Sequence, residues 1–392
     1  MRMSRSALAA GLLAHAMGGA PATAQTAGGA AEVRVAFDRR GVTSVQARGP
    51  ADRAAGRRVA AGDPVRVASV SKLAVALGVM RLVEKGTLSL DRDVSDYLGW
   101  RLRNPAFPEV PVTLRLLLSH RSSITDDADY IIPLGTALRD WMQRPAIWDA
   151  AHAPGTWFRY TNLNFPVIAS VIEAATGRRF DAVMQAEVFA PLGIDACFNW
   201  SGCGAGAVAH AVVLYNEKGE VRRDDLKGAP PPCLVVAEGA CDLSAYRPGD
   251  NGALFGPQGG LRISPLGLAR IGRMLLAGGE GFLTPASIAE IERPHWTFDG
   301  ANGDSEQGFY CAYGLAVQLL ATRAPGCADD PFGDGRLRSG HAGSAYNLRS
   351  GLWIDRRRGR GVAYFVTAVP DTAGPGRRSA FTPDEERLAR GR

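Results

Sequence analysis

The sequence predicts an α/β (α+β) fold: an antiparallel sheet built from N- and C-terminal strands and flanked by helices, with a mostly helical lobe inserted between them. Three observations carry this expectation. Segments of alternating polarity lie near both ends, long apolar segments of helical length fill the middle, and 392 residues that are 46% hydrophobic and 21% charged have the composition of a globular chain. At this length either two domains or one two-lobed unit is expected. The segments favour one two-lobed unit over 25–368, with an α/β lobe at about 30–75 and 255–368, a helical lobe at about 76–254, and a tail at 369–392.

From Glu32 to Phe37 and from Val42 to Ala47, polarity alternates around Arg40-Gly41, the pattern of a β-hairpin. The run from Ser69 to Lys85 has helical length, is apolar on nearly every face beyond Lys72, and ends at Gly86, a C-terminal cap. Further helices are expected over 112–119, 134–143, 163–176 and 179–190, separated by Pro and Gly punctuation. Residues 199–257 read as an elaborated loop region with a short hairpin across Val208 to Val221. Ser264 then caps a helix from Pro265 to about Ala277, and two strands, 345–355 and 361–368, flank the turn at Arg356–Gly359.

The first residues combine Arg2 and Arg5, an apolar stretch from Ala7 to about Ala20, and the small-x-small site Ala22-Thr23-Ala24. Those are the three parts of a secretory signal, so residues 1–24 are expected to be removed and the mature chain to be periplasmic or secreted. No later run of eighteen apolar residues suggests a membrane span. The net charge is +6, from four lysines and 41 arginines that form no aromatic-interleaved stripe, which gives a nucleic-acid role no support. Six cysteines, Cys197, Cys203, Cys233, Cys241, Cys311 and Cys327, contain no C-x-x-C pair. In an exported chain they read as disulfides, sequence neighbours suggesting 197–203, 233–241 and 311–327, although six cysteines allow fifteen pairings and buried free thiols are the alternative.

Ser69-Val70-Ser71-Lys72 is an S-x-x-K tetrapeptide that sets an amine one helical turn from a hydroxyl. A serine needs a base to become a nucleophile, and a lysine serves when burial lowers its pKa. The bland reading, an N-cap serine beside an exposed lysine, fits poorly with so apolar a helix. Farther on stand Tyr160-Thr161-Asn162 and His341-Ala342-Gly343, the latter just ahead of an expected strand.

In this order the three motifs resemble those of the serine β-lactamase and penicillin-binding protein superfamily, in its class C β-lactamase-like branch. The resemblance covers roughly 32–368 and implies roles by position. Ser69 would be acylated, Lys72 would be its basic partner, and Tyr160 would relay a proton to the leaving group. Asn162, His341 and Gly343 would bind substrate, and the backbone N–H groups of Ser69 and Ser344 would form the oxyanion hole. No metal or other cofactor is implied, the partner is a small-molecule or peptide substrate, and the oligomeric state is left open.

Two departures matter. His-Ala-Gly replaces the Lys-Thr-Gly of true β-lactamases, the form associated with D-Ala-D-Ala peptidases, D-amino-acid amidases and esterase-like members, and histidine supplies the missing cation only when protonated. The family also packs an N-terminal helix on a C-terminal one, whereas here a strand follows soon after Gln25 and only Thr382–Arg387 hints at a final helix. The expectation is an exported serine hydrolase acting through an acyl-enzyme on Ser69, cleaving a D-amino-acid peptide or a small ester. A true β-lactamase and a slow penicillin- or peptide-binding receptor are the alternatives.

Overall fold

The computed structural model describes residues 29–391. The signal-like segment 1–24 lies outside the described residues.

An eight-stranded antiparallel sheet organises the chain. Its strands are β1 (Glu32–Asp38), β2 (Val42–Arg48), β3 (Trp296–Thr297), β4 (Ala312–Tyr313), β5 (Gln318–Leu320), β6 (Arg338–Ala345), β7 (Leu348–Asp355) and β8 (Arg360–Val366). In space the order is β3-β4-β5-β6-β7-β8-β1-β2. The first strand therefore docks on the last, with Glu32 opposite Val366 and Asp38 opposite Arg360.

Every residue of β7 is buried, so both faces are covered at the middle of the sheet, whereas every residue of the edge strand β2 is exposed. On one face lies α3 (Pro265–Leu276), capped as expected by Ser264, whose hydroxyl accepts from Gly267 N–H. Gly272 lets this helix approach closely: a Cβ there would sit 2.3 Å from the Phe37 ring. Trp353, Tyr364 and Val366 point to the other face, where Phe381, Leu388 and Ala389 cover them.

That cover comes from the segment expected as a tail. Residues Pro383–Arg390 form α4, opened by a full capping box between Thr382 and Glu385. Arg387 reaches Glu32 on β1 at 3.0 Å, so among the described residues the helix has a strand as its partner.

Between β2 and α3 the chain builds the helical region around two buried helices, α1 (Ser71–Glu84) and α2 (Asn164–Thr176). Gly78 lies against Met184, which leaves no room for a Cβ and brings α1 close to Phe180–Met184. The expected 179–190 helix is broken into an α turn, a π turn over Gln185–Phe189 and a short final turn. The 134–143 helix shrinks to Leu138–Trp141. A small sheet, Val65–Arg66 and Ala196–Phe198 on either side of Leu261–Ile263, fixes the approach to α1. All three suggested disulfides form: Cys197–Cys203, Cys233–Cys241 and Cys311–Cys327.

Candidate active site

The chain reaches α1 through a tight 3-10 turn, Ala68–Val70, in which Ala68 takes a left-handed φ of 47°. A non-glycine residue holds that conformation only when its surroundings impose it. Here they do. Ser71 Oγ donates to Ala68 O and accepts from Leu261 N–H, tying the turn to the small sheet. Ser69 stays partly exposed while Lys72, one turn on, is fully buried.

Lys72 Nζ lies 3.0 Å from Ser69 Oγ, 2.8 Å from Asn162 Oδ1 and 2.8 Å from Gln258 O. As an ammonium it would donate to all three; as a neutral amine it can keep the last two and accept the Ser69 proton. Burial pulls its pKa down to about 7, against the opposing pull of Asp126 and Glu306. The neutral form is thus available near neutral pH.

Asn162 cannot turn its amide around. Its Nδ2 and its backbone N–H both donate to Asp126 Oδ2, at 2.9 and 2.8 Å, and Leu163 N–H donates to Asp126 Oδ1 at 2.9 Å. This leaves Oδ1 facing Lys72. Asp126 was not read from the sequence; it is one aspartate in a polar loop, and only its three donors mark it.

Tyr160 is clamped between rings: His120 stacks at 4.5 Å on one side and Tyr310 at 4.6 Å on the other. Its Oη is buried beside Ser69 and Tyr310 with no well-formed hydrogen bond. Burial raises its pKa, so the phenol keeps its proton. His120 is the buried back wall, its Nδ1 accepting from Thr161 N–H at 2.9 Å. Burial holds it neutral.

The third motif differs most from expectation. His341-Ala342-Gly343 lies within β6, not ahead of a strand. Its glycines and small polar residues hid it, since these are weak strand formers and the pairing with β7 supplies what propensity lacks. The His341 side chain does not line the cleft. It is 0% exposed, its Nε2 paired with Tyr313 Oη at 2.7 Å and its Nδ1 with Ala342 O at 2.5 Å. Burial first, and Lys72 second, push its pKa down to about 3, so it is a neutral prop and not a cation. Gly343 also has a packing reason to lack a side chain. A Cβ there would meet Val67 O and Ser350 Oγ, both at 2.4 Å, and Ser69 N at 3.2 Å. The glycine seats β6 against the serine turn. Ser344 follows on the exposed side of the strand.

These groups meet in one cleft of about 660 Å³, whose lining includes Ser69, Tyr160, Asn162, Gln258, Gly343 and Ser344. It also includes Arg66 and Glu306, which carry no motif. Of the sequence-selected catalytic and binding residues, Ser69, Tyr160, Asn162, Gly343 and Ser344 border the cleft, while Lys72 and His341 lie behind it in contact with Ser69 and Ala342.

The β-lactamase family model matches residues 11–381. The chain belongs to the β-lactamase family. Among curated relatives it is 36% identical to esterase EstB of Burkholderia gladioli over 167 residues, 39% of this chain and 42% of EstB. It is 29% identical to the D-alanyl-D-alanine-carboxypeptidase/endopeptidase AmpH of Escherichia coli over 139 residues, 33% of this chain and 35% of AmpH. The matched stretches thus span less than half of these relatives. Solved structures agree on the fold over nearly the whole length. EstCE1, a hydrolase with promiscuous acyltransferase activity, superposes with a TM-score of 0.66 at 23% identity, covering 92% of this chain and 93% of its own. The D-amino acid amidase of Ochrobactrum anthropi superposes with a TM-score of 0.64 at 19% identity, covering 91% and 90%.

Proposed function

We propose that this β-lactamase-family member is an exported serine hydrolase that cleaves an amide or ester through an acyl-enzyme on Ser69. The single observation that carries the reading is the 3.0 Å contact from Lys72 Nζ to Ser69 Oγ, made by an amine whose pKa burial lowers to about 7. Lys72 takes the Ser69 proton as the hydroxyl attacks the carbonyl carbon. The oxyanion is met by the backbone N–H groups of Ser69 and Ser344. Tyr160, whose phenol remains protonated, passes a proton to the departing amine or alkoxide and recovers it through Lys72. Water then attacks the ester on Ser69 with the same groups in reverse roles, releasing the acid.

A D-amino-acid peptide or a small carboxylic ester is the substrate class favoured. The relatives include an esterase and a D-alanyl-D-alanine carboxypeptidase, and the buried, neutral His341 removes the third-motif cation that a β-lactam carboxylate would meet in the Lys-Thr-Gly form. Three disulfides fit an oxidising, extracytoplasmic location.

Parallel assays of wild type and Ser69→Ala on p-nitrophenyl esters, D-amino-acid anilides, D-Ala-D-Ala peptides and nitrocefin test this reading. Turnover of an ester or D-peptide that disappears in Ser69→Ala supports it. Hydrolysis that survives Ser69→Ala overturns the mechanism, and a penicillin adduct that persists without turnover of any substrate favours a receptor.

A further inference from the structure

The cleft holds a cation that the three motifs do not supply. Arg66, on the strand leading to Ser69, is 8% exposed and borders the same cleft. Among the described residues its Nε and Nη1 are buried with no hydrogen-bond partner and it makes no salt bridge. The obvious counter-ion is already engaged: Asp224 is bound by Arg262 at 2.7 Å and by Trp200 Nε1 at 3.0 Å. Arg262 and Arg223, both nearby, add positive potential and not relief.

Asp224 gives it Coulombic relief without a hydrogen bond, and a ring lies over it. The Arg66 guanidinium lies 4.8 Å from the Tyr346 ring centroid, and Arg223 stands 5.2 Å from the same ring. Stacking covers the flat face of a guanidinium and leaves its in-plane N–H groups unserved. Tyr346 itself sits in the left-handed turn between β6 and β7, with φ of 52°. A buried unpaired charge is strongly unfavourable unless something fills the place of the missing anion. Two more buried, unpartnered polar atoms border this cleft, Tyr160 Oη and Gln258 Oε1, so the unpaired edge belongs to a region prepared for a polar guest.

We propose that Arg66 is the anchor for a substrate carboxylate, so that the hydrolase selects amides or esters bearing a free carboxylate over uncharged ones. The guanidinium offers a planar pair of donors that matches a carboxylate. This deepens the serine-hydrolase reading and rests on it: Ser69 performs the cleavage, and Arg66 chooses what is cleaved.

The test uses the full mature chain and two matched substrate pairs. One compares the p-nitrophenyl monoester of glutaric acid with p-nitrophenyl valerate, which places the carboxylate on the acyl side. The other compares a 3-carboxyphenyl ester with its phenyl counterpart, which places it on the leaving side. At least one carboxylated member is expected to be favoured by tenfold or more in kcat/KM. Arg66→Met should bring that ratio to near one, mainly through KM, and Arg66→Lys should restore part of it. Equal rates in both pairs for wild type, or a preference that persists in Arg66→Met, overturns the proposal. Should Arg66→Met fail to fold, glutarate as a competitive inhibitor of valerate-ester hydrolysis by wild type decides: inhibition supports the anchor, and none up to high millimolar removes it. Turnover that survives Ser69→Ala would be a failure of the parent reading, separable from either result.

Discussion

At the scale of single residues, the chemistry turns on where a proton rests between Lys72 and Ser69. The amine must be neutral to act, so kcat/KM is expected to rise with pH through an apparent pKa near 7, the value burial gives Lys72. Lys72→Met should remove about 10³-fold or more of that activity. A stability signature follows from the same depression. The folded chain releases the Lys72 proton near pH 7, whereas the unfolded chain keeps it until about 10.5, the ordinary lysine value. Between those limits the unfolded state binds more protons, so raising the pH stabilises the fold. Urea unfolding of wild type relative to Lys72→Met should therefore be flat below about pH 6 and shift in favour of wild type from about 7 towards 10. A flat difference across the whole range would mean an ordinary lysine.

Asp126 is the second residue to test. Three N–H groups converge on its two oxygens, and an asparagine there offers one acceptor and turns an NH₂ on the donors. Asp126→Asn is expected to lower kcat/KM by roughly 10²-fold through misplacement of Asn162. It should also move the acid limb of the pH profile to lower pH, because Asp126 now favours the charged form of Lys72. A rate loss with an unmoved limb would assign Asp126 a purely structural part.

At the scale of elements, the 311–327 disulfide is tied to the site through the loop it borders. Residues 304–310 carry Tyr310, which holds one face of Tyr160, and the bridge spans 16 positions beginning next to it. Replacing both cysteines by serine should lower stability by about 3 kcal/mol and reduce kcat/KM as well. The same replacement at Cys197 and Cys203, which spans 6 positions on the small sheet, should affect stability alone. Enzyme assays and urea titrations on the two double variants separate these outcomes.

Elements of strong period were legible in the sequence. The hairpin of β1 and β2, the buried α1, the capped α3 and the β7–β8 pair all announce themselves by alternation, apolar run or cap. The site was legible where a motif fixes spacing along one helix, as from Ser69 to Lys72. What stayed hidden depends on partners distant in sequence: β6 is a strand because β7 pairs with it, and His341 is sealed because Tyr313 arrives from β4. Asp126, Tyr310 and Arg66 likewise gain meaning only from side chains 36, 150 and 280 positions away.

At the scale of the whole molecule, the final segment completes the fold. Phe381 is fully buried, 4.5 Å from the Phe309 ring and 5.8 Å from that of Trp353. Phe381→Ala is expected to destabilise by about 3–5 kcal/mol, and a chain cut after Ala368 should lose near-ultraviolet circular dichroism and bind a hydrophobic dye. A truncated chain that unfolds as cooperatively as wild type would show the segment to be dispensable.

The pairing of β1 with β8 also governs when folding can finish. Contacts between Glu32 and Val366 close a loop of nearly the whole described chain, so the interior of the sheet cannot assemble while the last strand is still being made. Until then Val33, Val35 and Phe37 lack β8 as a neighbour and can meet only β2 and α3. A polypeptide in this state keeps an unpaired strand edge open, which leaves it threadable and prone to aggregate. Late closure thus suits a chain expected to pass through an export channel before it becomes a hydrolase.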